Sequence, residues 1–373
     1  MKHVLVIGNS KSIWIKEYVN NIHYAFGNKV YLTDYYGLSP SEKQYYESLG
    51  AIILDVHHPN KAIRMVKCCF VLLRFAKQNA GQIDLLDIQS PPHSIQSMIL
   101  SKLINILKTK TITTFWGSDI LRLTYTEAQY LITILDKSDC INIGTKQMQQ
   151  AFNQFFGEKY NNKCVRVLFG SPAIDYIRKC KESSETCKDL LGLDSSKITL
   201  AIGYNGNKEQ QHLKVIEALA NISKEEKKAL QIIIHTSGSI DEEYLNTIVN
   251  AMINSDICYK VLNDSYDLET IARLRIATDI IIHAQITDGF SGSIRESVFA
   301  GAVLMNPSWI NYDRFDNDGV DYIKYSSFEE IPQAVEKLLS GRIAINTENN
   351  KNLVYKEYSW EAVREKWAEI FDA

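Results

Sequence analysis

Short apolar runs rich in Ile, Val and Leu recur along this chain, each closed by glycine or another turn residue and most followed by a stretch with helical spacing. In the first half they fall at 4–7, 30–32, 51–54, 83–88, 111–115, 139–144 and 164–169, and in the second at 198–202, 231–235, 258–262, 280–284 and 303–305. Runs of that length and branching read as buried strands, and strands alternating with helices build βαβ units around a parallel sheet. A length of 373 residues exceeds one ordinary domain and suits two. The expected architecture is therefore α/β, with doubly wound halves at 1–174 and 197–357. The charged, serine-rich stretch 175–196 is the expected linker between them.

Several classes drop out on composition. A net charge of -3 does not support wholesale nucleic-acid binding. Seven cysteines with no C-x-x-C pair read as reduced thiols, mostly buried, in a cytoplasmic protein. The opening run 2–8 is a first strand rather than an export signal, and no apolar stretch approaches the roughly 20 residues that span a bilayer. Gly8-Asn9-Ser10 lacks the three-glycine dinucleotide fingerprint, which argues against a nicotinamide or flavin enzyme.

One segment is locally basic. Residues 61–78 have helical spacing, with Ile63, Val66, Cys69, Phe70 and Leu73 on one side and Lys61, Arg64, Lys67, Arg74 and Lys77 around the rest. Over 61–118 these five, with Lys102, Lys108 and Lys110, face only Asp84 and Asp87. Two readings stand: a core helix with a solvated basic face, or a helix 61–77 lying on an anionic membrane surface.

In a parallel sheet, ligands bind at the carboxyl ends of the strands. That rule makes cleft candidates of His93, in the loop after 83–88, and of Trp116, Asp119 and Arg122, after 111–115. It also selects Gly203, Asn205, Gly206 and Lys208 after 198–202, leading into a helix that bears His212. The richest loop is Asp288-Gly-Phe-Ser-Gly-Ser-Ile-Arg-Glu296, between two strands. Gly289 and Gly292 permit close backbone approach, Ser293 is placed to cap a helix from Ile294, and the free amides of a helix start suit a phosphate. Asp288 and Glu296 are spaced to reach one cleft. Asp288-Gly289 equally fits an ordinary turn, and Ser293-x-x-Glu296 a capping box.

Two tandem Rossmann-like domains carrying this acidic pair resemble the GT-B superfamily of nucleotide-sugar glycosyltransferases, with the two domains facing a central cleft. The 288–296 segment resembles the E-x7-E motif with Asp for the first Glu. Trp116-Gly-Ser-Asp119 looks like the H-G-S-D segment with Trp for His, and the closing 358–373 helix is similar to the family's cross-over helix. More closely, Gly203-Tyr-Asn-Gly-Asn-Lys-Glu-Gln-Gln-His212 and 289–296 resemble bacterial surface-polysaccharide transferases of the fucosamine-transferase kind.

The resemblance implies a hexosyltransferase whose co-substrate is a nucleotide sugar, UDP-linked in first place and GDP- or dTDP-linked otherwise, with no separate cofactor. Glu296 would hold the donor ribose, Asp288 the donor sugar, and the amides of Gly289, Phe290, Ser291, Gly292 and Ser293 the diphosphate. His93, Trp116, Asp119 and Arg122 would line the acceptor side, with His93 and Asp119 nearest the reacting carbon. Tyr204 or Asn205 and Gln210 stand where the family usually has the Arg and Lys that bind diphosphate; Lys208, His212 or Arg295 are the candidates to compensate. No D-x-D carboxylate motif falls in a suitable loop, so transfer is expected to be metal-independent, and retention is expected from the motif. The implied acceptor is a lipid-linked glycan at the inner face of the plasma membrane, in O-antigen or capsule synthesis. A sugar-nucleotide epimerase and a catalytically silent sugar-nucleotide-binding subunit remain as alternatives.

Overall fold

The computed structural model describes residues 1–372 except Tyr36, Gly238 and Ser239. The chain divides into two compact units, Met1–Gly170 with the segment from Trp360 on, and Ser171–Ser359.

The first unit holds strands β1 (His3–Gly8), β2 (Lys29–Asp34), β3 (Ile52–Ile53), β4 (Leu85–Gln89), β5 (Lys110–Thr114), β6 (Cys140–Asn142) and β7 (Cys164–Val165). They form one parallel sheet in the order β3-β2-β1-β4-β5-β6-β7. The second unit holds β8 (Ile198–Ile202), β9 (Leu230–His235), β10 (Cys258–Leu262), β11 (Ile280–Ile282), β12 (Val303–Pro307) and β13 (Ile323–Tyr325), parallel in the order β10-β9-β8-β11-β12-β13. Only β13 escaped the sequence reading, because three residues ending at an edge leave no periodic signal. Val4, Leu5, Val6 and Ile7 are all fully buried, as expected for a central parallel strand covered on both faces. In each sheet the strand order reverses once, between β1 and β4 and between β8 and β11. Those reversals are topological switch points, where loops diverge to opposite faces and leave a crevice.

Three expectations need correction. Residues 175–196 are not an open linker: Ile174–Lys179 and Ser184–Leu190 are helices, Ile177 packs on Ala272, and Leu191 and Leu193 join Ile233, Leu262 and Leu274. A few well-spaced apolar residues anchor the segment to its sheet despite its charged composition. Helix Lys61–Asn79 forms as expected, but its core face is Cys68, Leu72, Phe75 and Ala76, while Ile63, Val66 and Phe70 point to solvent. The cysteines are all free, yet only Cys68, Cys140 and Cys187 are buried, and Cys258 is exposed.

The last helix, Trp360–Asp372, belongs to the first unit. Trp360, Val363, Trp367, Ile370 and Phe371 enter the same core as Val4, Val6 and Tyr18, and the Trp367 indole donates to the Leu168 carbonyl at 3.0 Å. Trp360 seats directly on Gly170, where any side chain would collide with its ring. Among the described residues no helix is long and apolar enough to cross a membrane.

Candidate functional site

The second unit's switch point is built from the loops after β8 and β11. Gly203 ends β8 at φ +65°, and a Cβ there would meet the Gln210 and His212 side chains at 2.8 and 3.1 Å, so the turn requires glycine. The two loops are laced together. Gln210 Nε2 and the Tyr204 hydroxyl both donate to Gln285 Oε1, Gln211 Nε2 donates to the Ala284 carbonyl at 2.6 Å, and Ile286 N–H to the Glu209 carbonyl at 3.1 Å. Gly206 N–H bonds the Thr236 carbonyl, and Asn205 accepts from Asn207 N–H at 2.9 Å. Lys208 is exposed, 3.7 Å from Asp241 and above the Tyr244 ring. His212 is buried with Nδ1 3.2 Å from the Tyr244 hydroxyl, and burial pushes its imidazole down to about 4.

In the loop after β11, Asp288 is buried. Its Oδ2 accepts from Ser291 N–H at 3.1 Å and from the Tyr312 hydroxyl, and Oδ1 lies 3.5 Å from the Tyr204 hydroxyl. His283 Nε2 stands 3.6 Å from the same carboxylate. The Asn306 amide donates to the Pro307 and Ile310 carbonyls, so its Oδ1 is the acceptor for His283 Nδ1 at 2.8 Å. His283 therefore carries its proton on Nδ1 and turns the Nε2 lone pair toward Asp288; burial pushes its pKa down and keeps it neutral.

The helix runs from Gly292 to Ala300 and is capped by Ser291, which accepts from Ser293 N–H at 3.2 Å. The expected cap at Ser293 is thus displaced by two residues, because the Asp288 turn fixes Ser291 first. Phe290 adopts φ +75°, a strained value for a non-glycine residue, and stacks edge-on to Tyr312, Phe315 and Tyr358. Arg295 is buried with its guanidinium over the Phe290 and Tyr358 rings, and burial lowers its pKa to about 10.

Glu296 closes no capping box. Its Oε1 accepts from Ala173 N–H at 3.1 Å, and Oε2 lies 3.4 Å from Arg275 Nε in a buried ion pair. Desolvation pushes the Glu296 carboxyl up, opposed first by the Arg275 charge. Each oxygen keeps a second lone pair, so the carboxylate can still accept from two hydroxyls. Arg275, His283 and Tyr312 escaped sequence reasoning, since each sits in an ordinary helix, strand end or loop and only the fold brings it beside the 288–296 segment.

At the first unit's switch point is a cavity of about 600 Å³. Asn9 follows β1, Ser90 and His93 follow β4, Asp119 follows β5, and Lys61 and Arg64 reach in from helix Lys61–Asn79. His93 Nε2 is buried there with no hydrogen-bond partner. Both oxygens of Asp119 face the Trp116 N–H, at 2.9 and 3.0 Å, and Oδ1 also takes Gly117 N–H at 2.9 Å. Burial pushes the Asp119 carboxyl up against those donors. Trp116 does not line the cavity: its indole donates to Gln89 Oε1 at 3.0 Å and packs on Phe169. Arg122 is exposed beyond the short helix Ser118–Leu121, outside the lining. Among the described residues no three His, Cys, Asp or Glu side chains converge as a metal site would require.

No protein-family profile matches the sequence, and no curated protein matches it. Solved structures do match over the whole chain. A glycosyltransferase from Rickettsia africae ESF-5 aligns at TM-score 0.78 and 15% identity, covering 100% of this chain and 98% of that one. HepE of Anabaena, solved in complex with UDP and glucose, aligns at 0.75 and 12%, covering 100% of both. WaaG, a glycosyltransferase involved in lipopolysaccharide biosynthesis, aligns at 0.64 and 13%, covering 99% of both. Identity that low carries the fold alone, and the fold is GT-B: two Rossmann-like parallel-sheet domains in tandem.

Proposed function

We propose that this chain is a glycosyltransferase that moves a sugar from a nucleoside diphosphate, UDP in first place, to an acceptor hydroxyl. The observation that carries the reading is the second unit's switch point, where the Gly203 turn and the Ser291-capped helix meet beside two buried carboxylates. HepE was solved with UDP and with UDP-glucose, which supports a UDP-sugar here. On this reading the spare lone pairs of Glu296 accept the ribose hydroxyls. Asp288, oriented by Tyr312 and Ser291, contacts the donor sugar, and amides over 289–293 take the diphosphate. Lys208, exposed and loosely paired, is the cation best placed to swing onto it; Arg295, held under Phe290, is the least. Gly203, Asn205 and Gly206 shape the opposite wall, and His212 packs beneath them.

Glycosyl transfer passes through an oxocarbenium-like state while negative charge grows on the departing diphosphate. Backbone amides and a helix amino terminus stabilise that charge without a metal. Retention then needs no dedicated base, because the departing phosphate can take the acceptor proton. His93 and Asp119 take the acceptor side. A lipid-linked glycan of surface polysaccharide, met at the inner face of the plasma membrane, suits the outward apolar and basic face of helix Lys61–Asn79. The second reading, a silent nucleotide-binding subunit, draws on the buried position of Arg295.

Thermal shift against UDP, GDP and dTDP, followed by UDP-release assays with UDP-sugars, tests the reading. A ligand at 100 times its Kd stabilises by about 2.7 kcal/mol. No shift with any of the three nucleotides would sink it; binding without turnover would favour the silent subunit.

A further inference from the structure

The cavity of the first unit carries charge that its own fold does not use. Lys61 and Arg64 lie one turn apart at the start of helix Lys61–Asn79, and both line it. The Lys61 ammonium has no ion-pair or hydrogen-bond partner among the described residues, and Arg64 Nη1 donates to the His58 carbonyl at 3.3 Å. The one carboxylate among the described lining residues, Asp119, is turned to the Trp116 and Gly117 amides. His93 also lines the cavity, with Nε2 buried and without a hydrogen-bond partner among the described residues. A volume of about 600 Å³ takes a hexose with a phosphate attached.

We infer that this cavity is an anion subsite for a phosphate-bearing ligand, with Lys61 and Arg64 on the phosphate and His93 on a hydroxyl of the attached group. Two cations a helical turn apart suit a doubly charged phosphate or a diphosphate better than a single carboxylate, and the guanidinium can take two oxygens at once. The unpartnered imidazole nitrogen of His93 in the pocket lining is free to meet a donor or acceptor on the bound group. The inference rests on the transferase reading only in naming this ligand the acceptor. It then deepens that reading: the acceptor is anionic, and Lys61 and Arg64 set its specificity.

The phosphate could belong to a prenyl lipid or to a soluble sugar, and one experiment separates them. The His93 Cε1–H resonance, assigned by its loss in His93→Gln, is followed while the full-length protein is titrated with inorganic pyrophosphate, glucose 6-phosphate, geranyl phosphate or neutral glucose. A saturable shift with the phosphates, absent with glucose, is expected, weakened at least tenfold in Lys61→Gln/Arg64→Gln. Tighter binding of geranyl phosphate than of glucose 6-phosphate identifies a lipid source, and the reverse a soluble one. Lys61→Gln alone, at an exposed position, gives the same direction without risk to the fold. A resonance unmoved by all three phosphates, or moved equally in the double variant, overturns the inference. Failure of UDP-sugar turnover would leave this binding result standing, so the two readings fail separately.

Discussion

Glu296 and Arg275 form an ion pair inside the second unit, Oε2 to Nε at 3.4 Å, with each side chain only 5% exposed. Removing one partner of such a pair strands the other charge away from water, at about 3–5 kcal/mol. Glu296→Ala should therefore lower the unfolding free energy by that amount, and Arg275→Met by a similar one. The double variant should lose clearly less than the sum, as read from a cycle of urea unfolding curves. Glu296→Ala within about 1 kcal/mol of the parent would show that the pair does not hold the helix start. Turnover is better tested with Glu296→Gln, which keeps the acceptor for Ala173 N–H.

Asp288 poses the opposite case, because its partners are neutral donors. Asp288→Asn keeps the shape, and Tyr312→Phe removes only the hydroxyl that orients the carboxylate. Loss of one such bond costs about 1–3 kcal/mol of stability. If Asp288 contacts the donor sugar, Asp288→Asn should lower kcat for UDP release by about 100-fold. Tyr312→Phe should fall short of that while moving kcat in the same direction. Full turnover in a folded Asp288→Asn protein would remove Asp288 from the chemistry.

How far these elements were legible in the sequence depends on how local their causes are. The strand runs were, since Val4–Ile7 or Ile280–Ile282 record burial on both faces directly. Helix Lys61–Asn79 was legible as a helix but not as to which side faces the sheet. It is apolar on two opposite stripes, and only packing on the sheet selects Cys68, Leu72 and Phe75 over Ile63, Val66 and Phe70. Asp288 and Glu296 could be singled out from the segment itself, whereas their partners Arg275, His283 and Tyr312 could not, because that proximity arises from the order of β11 and its neighbours rather than from spacing. The two doubly wound halves followed from counting βαβ units and GT-B from the resemblance of the 288–296 and 116–119 segments, while the position of the cap at Ser291 hinged on a single turn.

Acid should weaken the second unit. His212 and His235 are buried and neutral, with burial pushing them down to about 4 and about 3, the Arg275 charge adding to the second. In the unfolded chain each gains a proton near pH 6.5, so the unfolded state binds more protons below that value and stability falls as pH drops from about 6.5 toward 4. At pH 5 each histidine costs about 2 kcal/mol. The raised carboxyls of Glu296 and Asp119 act with the opposite sign, weakening the fold as pH rises past the ordinary carboxylate range. Urea midpoints at pH 7 and pH 5, compared between the parent and His235→Phe, isolate one histidine. The variant should show about 2 kcal/mol less change between the two pH values, and an unchanged difference would mean that His235 is protonated in the fold.

Helix Lys61–Asn79 leaves Ile63, Val66 and Phe70 at 51%, 68% and 64% exposure, with Arg74 and Lys77 on the same face and Ile95 and Met98 exposed at the start of the next helix. Exposed apolar side chains on so basic a stretch fit an anionic bilayer, where each Lys or Arg contributes about 1 kcal/mol and the apolar groups enter the headgroup boundary. Replacing all three by Ser should leave thermal stability nearly unchanged, because they bury little in the folded protein. Flotation with vesicles containing anionic lipid should fall at least tenfold for that variant, and for the parent as salt rises, since screening weakens the basic contribution first. Arg74→Gln/Lys77→Gln should lose the salt dependence while keeping part of the binding. A parent protein that fails to float at low salt, or a triple Ser variant that floats as well as the parent, would show that this face does not meet the membrane.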